Sequence, residues 1–236
     1  MESFDQNMQS QFSLDNVLAE QQAFITKVYG WMSVALIVTG ITAYLTATSQ
    51  AILNFIFGIP YMFMGLLIGE VLLVIALSAM INKMSAATAT FIFIVYSVIN
   101  GLTLSVIFLV YTQGSIALTF FVTALTFGSM SAYGYFTKKD LTSWGNLLLM
   151  ALVGLVIASI ANLFMKSEIL YWITTYAGIL IFVGLTAYDT QKIKNMNMIG
   201  ADGETARKGA IMGALTLYLD FINLFLLLLR LLGRRK

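Results

Sequence analysis

Leu215-Thr-Leu-Tyr-Leu-Asp-Phe-Ile-Asn-Leu-Phe-Leu-Leu-Leu-Leu229 puts a carboxylate, Asp220, in the middle of a run otherwise fit for hydrocarbon. Within it and just beyond, Thr216, Asp220, Asn223 and Arg230 are spaced by four, three and seven, so a helix of 3.6 residues per turn gathers them on one face. Almost every other position from Leu217 to Leu232 is large and apolar. This pattern predicts a helix inside a membrane bundle, its polar stripe facing partners or water. A second acid, Asp189, ends the preceding apolar run from Ile179 to Tyr188, where the aligned positions are Thr175, Ile179, Phe182, Thr186 and Asp189.

The composition agrees. Of 236 residues, 59% are hydrophobic and 10% charged, and the mean hydropathy is +0.88; a soluble domain carries roughly 25% charged residues. The fold class is therefore an all-α membrane protein. With no cysteine and no histidine, thiol chemistry and imidazole switching are excluded, and carboxylates are the main candidates for proton sensing near neutral pH.

Residues 1–22 are polar and lack the basic start, apolar stretch and cleavage site of a signal peptide; they read as an amino-terminal tail ahead of a transmembrane domain over 23–236. Apolar stretches of about 20 residues, the length that crosses a hydrocarbon core, recur seven times. They cover about 28–49, 61–81, 86–111, 116–136, 144–165, 170–190 and 208–229. Short breaks at Gly58-Ile59-Pro60, Asn82-Lys83-Met84, Thr112-Gln113-Gly114, Thr137–Asp140 and Lys166-Ser167-Glu168 imply antiparallel neighbours in one domain. The longest link, 191–207, is polar and contains Gly200 and Gly203.

The tail and alternate links carry Lys27, Lys83, Lys138, Lys139, Lys192, Lys194, Arg207 and Lys208, whereas the opposite links carry only Lys166. The bias of basic residues toward the cytoplasm then places the amino terminus inside. Arg230, Arg234, Arg235 and Lys236 run against it, because seven crossings put them outside; a re-entrant last segment is the alternative.

Other polar residues within spans are Glu70, Asn100, Thr103 and Asn162. Glu70 belongs either to an ion path or to a hydrogen bond with Asn100; for Asn100 and Asn162 the favoured role is hydrogen bonding between helices. Gly65 with Gly69, and Gly209 with Gly213, permit close helix approach. Antiparallel sixth and seventh helices place Asp220 about 18 Å along its axis from the boundary near Asp189. The two meet only if the seventh helix begins outside the hydrocarbon, near Thr205, or the sixth is tilted. Two carboxylates about 4 Å apart repel by roughly 4 kcal/mol at an effective dielectric of 20, which favours one proton shared by the pair. The plainer reading gives each aspartate its own Tyr, Thr or Asn donor and a structural role, and gives Arg230 the role of an anchor at the helix end.

The segment Gly184-Leu-Thr-Ala-Tyr-Asp-Thr-Gln-Lys-Ile-Lys194, with Leu215–Phe225 and the closing Leu-Leu-Arg230, resembles the signature of the Bax inhibitor family. Val28-Tyr-Gly-Trp-Met32 and Thr137-Lys-Lys-Asp140 extend the likeness over nearly the whole chain beyond residue 22. The compact form is similar to bacterial inner-membrane members. The resemblance implies seven transmembrane helices, six of them in two three-helix layers around a central C-terminal helix. It also implies a pH-sensitive calcium leak through the inner membrane, with Asp189 and Asp220 as the proton-sensing pair and as weak, transient calcium ligands. Glu70, Asn100, Thr186, Thr216, Asn223 and Arg230 are the supporting or path-lining candidates. Calcium is then a transported ion, no cofactor is held tightly, and no nucleic-acid partner is expected.

The resemblance also implies an arginine at the cytoplasmic end of the second helix that latches the pair, and here the sequence departs from it: spacing from Glu70 puts Ile81 at that position, and Lys83 lies about 200° away around that helix. With such a latch, protonation opens the path; without one, loss of the shared proton opens it. The residues are compatible with both. A non-conducting scaffold that modulates a membrane protease or another channel is the rival reading. An intramembrane aspartyl protease is more remote: Leu217-Tyr-Leu-Asp220 lacks the Gly-x-Gly-Asp element, and Pro60, the single proline, leaves no Pro-Ala-Leu. The expectation is no enzyme.

Overall fold

A computed structural model describes residues 2–196 and 201–236, with side chains from Val17 onward except Leu18; Gly200 of the long link lies outside the described residues. The helices in chain order are α1 (Glu2–Thr48), α2 (Gln50–Gly58), α3 (Met62–Met80), α4 (Ala86–Leu104), α5 (Val106–Val110), α6 (Gln113–Phe136), α7 (Thr142–Met165), α8 (Glu168–Lys194) and α9 (Gly203–Leu232). Seven are long and apolar enough to cross a membrane, within a few residues of the expected spans except that the first begins at Ala19 and the last at Gly203.

Two elements were not legible. The stretch before Pro60 holds α2, whose first turn is capped by Ser49 accepting from the Ile52 amide. The third span breaks at Ser105 into α4 and the short α5.

The helices pack as two layers, α1–α4–α3 and α6–α8–α7, with α9 between them in contact with α1, α4, α6 and α8. Burial follows this order. In the spanning windows 67% of α9 is buried, against 6% of α3 and none of α7. The apolar residues of α3 and α7 therefore face lipid, and the core centres on Leu217, Tyr218, Leu224 and Leu229 of α9. Because lipid is as apolar as these side chains, close packing and hydrogen bonds hold the layers together more than apolar burial does.

The closest packing surrounds the end of α8. A Cβ on Gly134 of α6 would run into the Ala187 carbonyl, and one on Gly145 of α7 into the Tyr188 ring. Only glycine lets both helices close on α8 there. Ser131 and Thr190 share a hydrogen bond of 2.7 Å, and Tyr29 of α1 bonds to Ser131. Gln191, though buried, accepts from the Leu141 amide and donates to the Lys139 carbonyl, which fixes the α6–α7 link. Lys194 donates to the Tyr135 carbonyl at 2.7 Å. The Thr-Gln-x-x-Lys that follows Asp189 is thus a set of clamps.

The last helix crosses fully. Its start lies beside α4, where Glu204 accepts from the Ala86 amide at 2.6 Å. Its far end meets the α5–α6 link, where the Thr112 amide donates to the Arg234 carbonyl and the Lys236 amide to the Val110 carbonyl, both at 3.0 Å. A re-entrant α9 would have brought Arg234 back toward Glu204.

Replacing Gly134 by alanine is expected to lower stability by about 1–3 kcal/mol through overpacking against Ala187, read as a lower thermal midpoint in detergent; an unchanged midpoint would refute the tight approach. At the start of α9 the Thr205 hydroxyl and then its amide hydrogen-bond the exposed Asp202 carboxylate and hold it below the usual carboxylate range. A depressed folded value gives stability that is present above the unfolded value of about 3.9 and is lost as pH falls through the folded one. Amide protection in the first turn of α9 should therefore decline below about pH 4, and Asp202→Asn should remove that dependence.

Candidate functional site

Asp189 and Asp220 meet. The carboxyls lie within hydrogen-bonding reach of each other, and the residues are only 7% and 5% exposed. The geometry that allows this is the early start of α9. Ile193 of α8 packs beside Gly213, ten residues after Gly203, so about 15 Å of α9 precedes the end of α8.

The donors expected from the plainer reading point elsewhere. Thr186 donates to the Phe182 carbonyl, Thr216 to Met212 and Asn223 to Leu219, each within its own helix. Among the described residues Asp220 Oδ2 is sealed from solvent and has no hydrogen-bond donor. A buried carboxylate oxygen without a donor is costly, and a proton held between the two carboxyls would satisfy it.

The pair lines a cavity of about 750 Å³ between α7, α8 and α9. Thr216, Asn223 and Arg230 line it as well, as the stripe on α9 predicted, whereas Thr186 is buried away from it. Charged groups mark its two ends. Lys192, exposed and one turn beyond Asp189, stands at one end with its ammonium 5.8 Å from the Tyr188 ring centre. Arg230 stands at the other, donating to Thr175 Oγ1 at 3.3 Å and lying over the Tyr171 ring at 4.7 Å. The arginine is therefore turned into the protein, not out toward a headgroup.

Sequence reasoning counted Lys192 only among the loop cations that set orientation, yet it lines the cavity with the pair. The i, i+3 spacing in Asp189-Thr-Gln-Lys192 is the signal that finds it. Lys83, on the second span, is exposed. Among the described residues the ion pair is Lys208 with Glu204, and no three acids converge on a metal position.

Glu70 lies in a separate network on the other side of α9. Thr103 and Asn100 donate to its two oxygens at 2.6 and 3.3 Å, Tyr218 donates to Asn100 Oδ1 at 2.9 Å, and Thr39 lies 2.7 Å from the Tyr218 hydroxyl. Of the two roles weighed for Glu70, the bond with Asn100 is present. Asn162 departs from expectation: its Oδ1 accepts from the Ser167 amide across the α7–α8 turn at 2.9 Å, so it closes a helix end and does not join two helix faces.

Comparison with known proteins agrees with this architecture. The family described as Inhibitor of apoptosis-promoting Bax1 matches residues 21–236. The chain is 54% identical over 217 residues to Inner membrane protein YbhL of Escherichia coli K12, covering 91% of this chain and 93% of that one. It is 47% identical to an uncharacterized protein of Borreliella burgdorferi, covering 90% and 92%, and 46% identical to the uncharacterized protein RP147 of Rickettsia prowazekii, covering 90% of each. A family match over most of the length, seven spanning helices and an inner-membrane relative together place the chain in the Bax inhibitor family, as a multi-pass inner-membrane protein.

Proposed function

We propose that this protein is a pH-sensitive leak for calcium or a similar cation, gated by the proton shared between Asp189 and Asp220. The observation that carries the reading is the pair itself: two buried carboxyls from the two helices that wall a 750 Å³ cavity, in a chain where an intramembrane acid is expensive and usually functional. Two carboxylates supply fewer than the six to eight oxygens of a tight calcium site, which suits an ion that must also leave. The basic links Lys83, Lys138, Lys139 and Lys194 support a cytoplasmic amino terminus and a pair nearer the cytoplasm.

The sign of the response follows from the groups around the pair. In this reading Lys83 does not act as a latch, and the charged residues lining the cavity with the pair are Lys192 on α8 and Arg230 at the far end of α9, with none from α7. A shared proton ties α8 to α9. Its loss as pH rises leaves two carboxylates that repel by roughly 4 kcal/mol at 4 Å, separates the helices and exposes anionic oxygens to a cation. Lys192 stands at the mouth as a positive barrier.

Purified protein in liposomes loaded with a calcium dye is expected to pass calcium faster at pH 8 than at pH 6. Asp189→Asn and Asp220→Asn should each flatten that profile; equal, pH-independent flux in all three proteins would sink the reading, and no flux above empty liposomes would favour a scaffold. Lys192→Gln should raise the initial rate at least about threefold at either pH by removing the charge at the mouth, and an unchanged rate would remove Lys192 from the path.

A further inference from the structure

Arg234, Arg235 and Lys236, three of the terminal cations that the loop-charge bias does not explain, lie beside a second cavity of about 370 Å³. It sits between the two layers where α1 and α6 flank α9, roofed by α4 and α5 and floored by Phe221, Ile222 and Phe225. Its lining is apolar apart from Thr39, whose hydroxyl is already committed to the Ser97 carbonyl at 2.9 Å and to Tyr218. No free polar group awaits a polar ligand. Gly40 and Ala117 are exposed at its lip, and a Cβ on Gly40 would meet open space, so the cavity opens toward the hydrocarbon.

The mouth at the bundle end is basic. Lys236 donates to the carbonyl of Phe108, a lining residue, at 2.7 Å. The Arg234 carbonyl accepts from the Thr112 amide, one turn before the lining residue Ile116, and from Ser115 Oγ, directly before it, at 3.3 Å. These bonds pin the chain end beside the cavity and leave the Arg234 and Arg235 side chains exposed.

We propose that this cleft binds one anionic diacyl phospholipid, an acyl chain in the apolar slot and the headgroup phosphate on Arg234, Arg235 and Lys236. Hydrocarbon is the solvent on its open side, the slot offers only apolar contact, and three cations stand where a headgroup would lie. The site is on the opposite side of α9 from the cavity that holds the aspartate pair, and its occupancy does not depend on ion conduction. It also gives the terminal cations a role other than orientation.

The test is native mass spectrometry of the full-length protein, delipidated in detergent and titrated with dioleoyl phosphatidylglycerol or dioleoyl phosphatidylcholine. Bound phosphatidylglycerol is expected at about fivefold higher occupancy or more. Replacing Arg234, Arg235 and Lys236 together by glutamine should bring it down to the phosphatidylcholine level. Gly40→Leu and, independently, Ala117→Leu should each lower it at least about threefold by filling the slot, with unchanged circular dichroism showing that the fold is kept. Equal occupancy of the two lipids in the wild type overturns the proposal. So does an occupancy that neither filling variant reduces, which would mean surface charge alone, or a protein dimer in place of the lipid adduct.

Discussion

A polar group carried into hydrocarbon must find its partner inside the protein, and in this molecule that constraint falls on one helix. α9 is the element that both layers touch, and its polar side chains leave it on different faces. Asp220 faces α7 and α8 beside Asp189, while Tyr218 faces α1 and α4, reaching Thr39 and Asn100 and through Asn100 the carboxylate of Glu70. Each network satisfies groups that no lipid would hydrate. The networks differ in completeness. Both oxygens of Glu70 have donors, whereas Asp220 Oδ2 has none among the described residues. The closed network of Glu70 is structural in character, and the open one in the cavity is where the proposed function has a proton or an ion come and go.

Sequence periodicity made most of this visible. Span length is set by membrane thickness, so all seven crossings could be read from apolar runs alone, and the spacing of Thr216, Asp220, Asn223 and Arg230 placed three of those residues beside Asp220 in the cavity. What sequence left open depended on where helices begin relative to one another. The encounter of Asp189 with Asp220 turned on whether α9 starts early, and the starting level is set by the clamp of Glu204 on α4 and by Ile193 against Gly213. Short elements were the other loss. The nine residues of α2 are too few to register as a span, and the adjacent Pro60 made them look like a turn.

The segment Gly184–Lys194 and the glycines that face it divide into distinct physical tasks. Gly134 and Gly145 bring α6 and α7 onto α8, Thr190, Gln191 and Lys194 lock its end, and between them Asp189 is held against α9. A carboxyl so rigidly mounted cannot swing away to water when it ionises. In the proposed reading, electrostatic repulsion within the pair would act on the helices that carry it, and a single proton would thereby bear on a seven-helix bundle.

The central claim is that Asp189 and Asp220 hold one proton between them. Infrared difference spectroscopy across pH, on protein in bilayers with isotope-labelled aspartate to separate these groups from Glu70, tests it most directly. The account predicts one protonated aspartate band that disappears as pH rises and is absent from both Asp189→Asn and Asp220→Asn. A band that survives in either variant, or no protonated aspartate at any pH between 6 and 8, would contradict it.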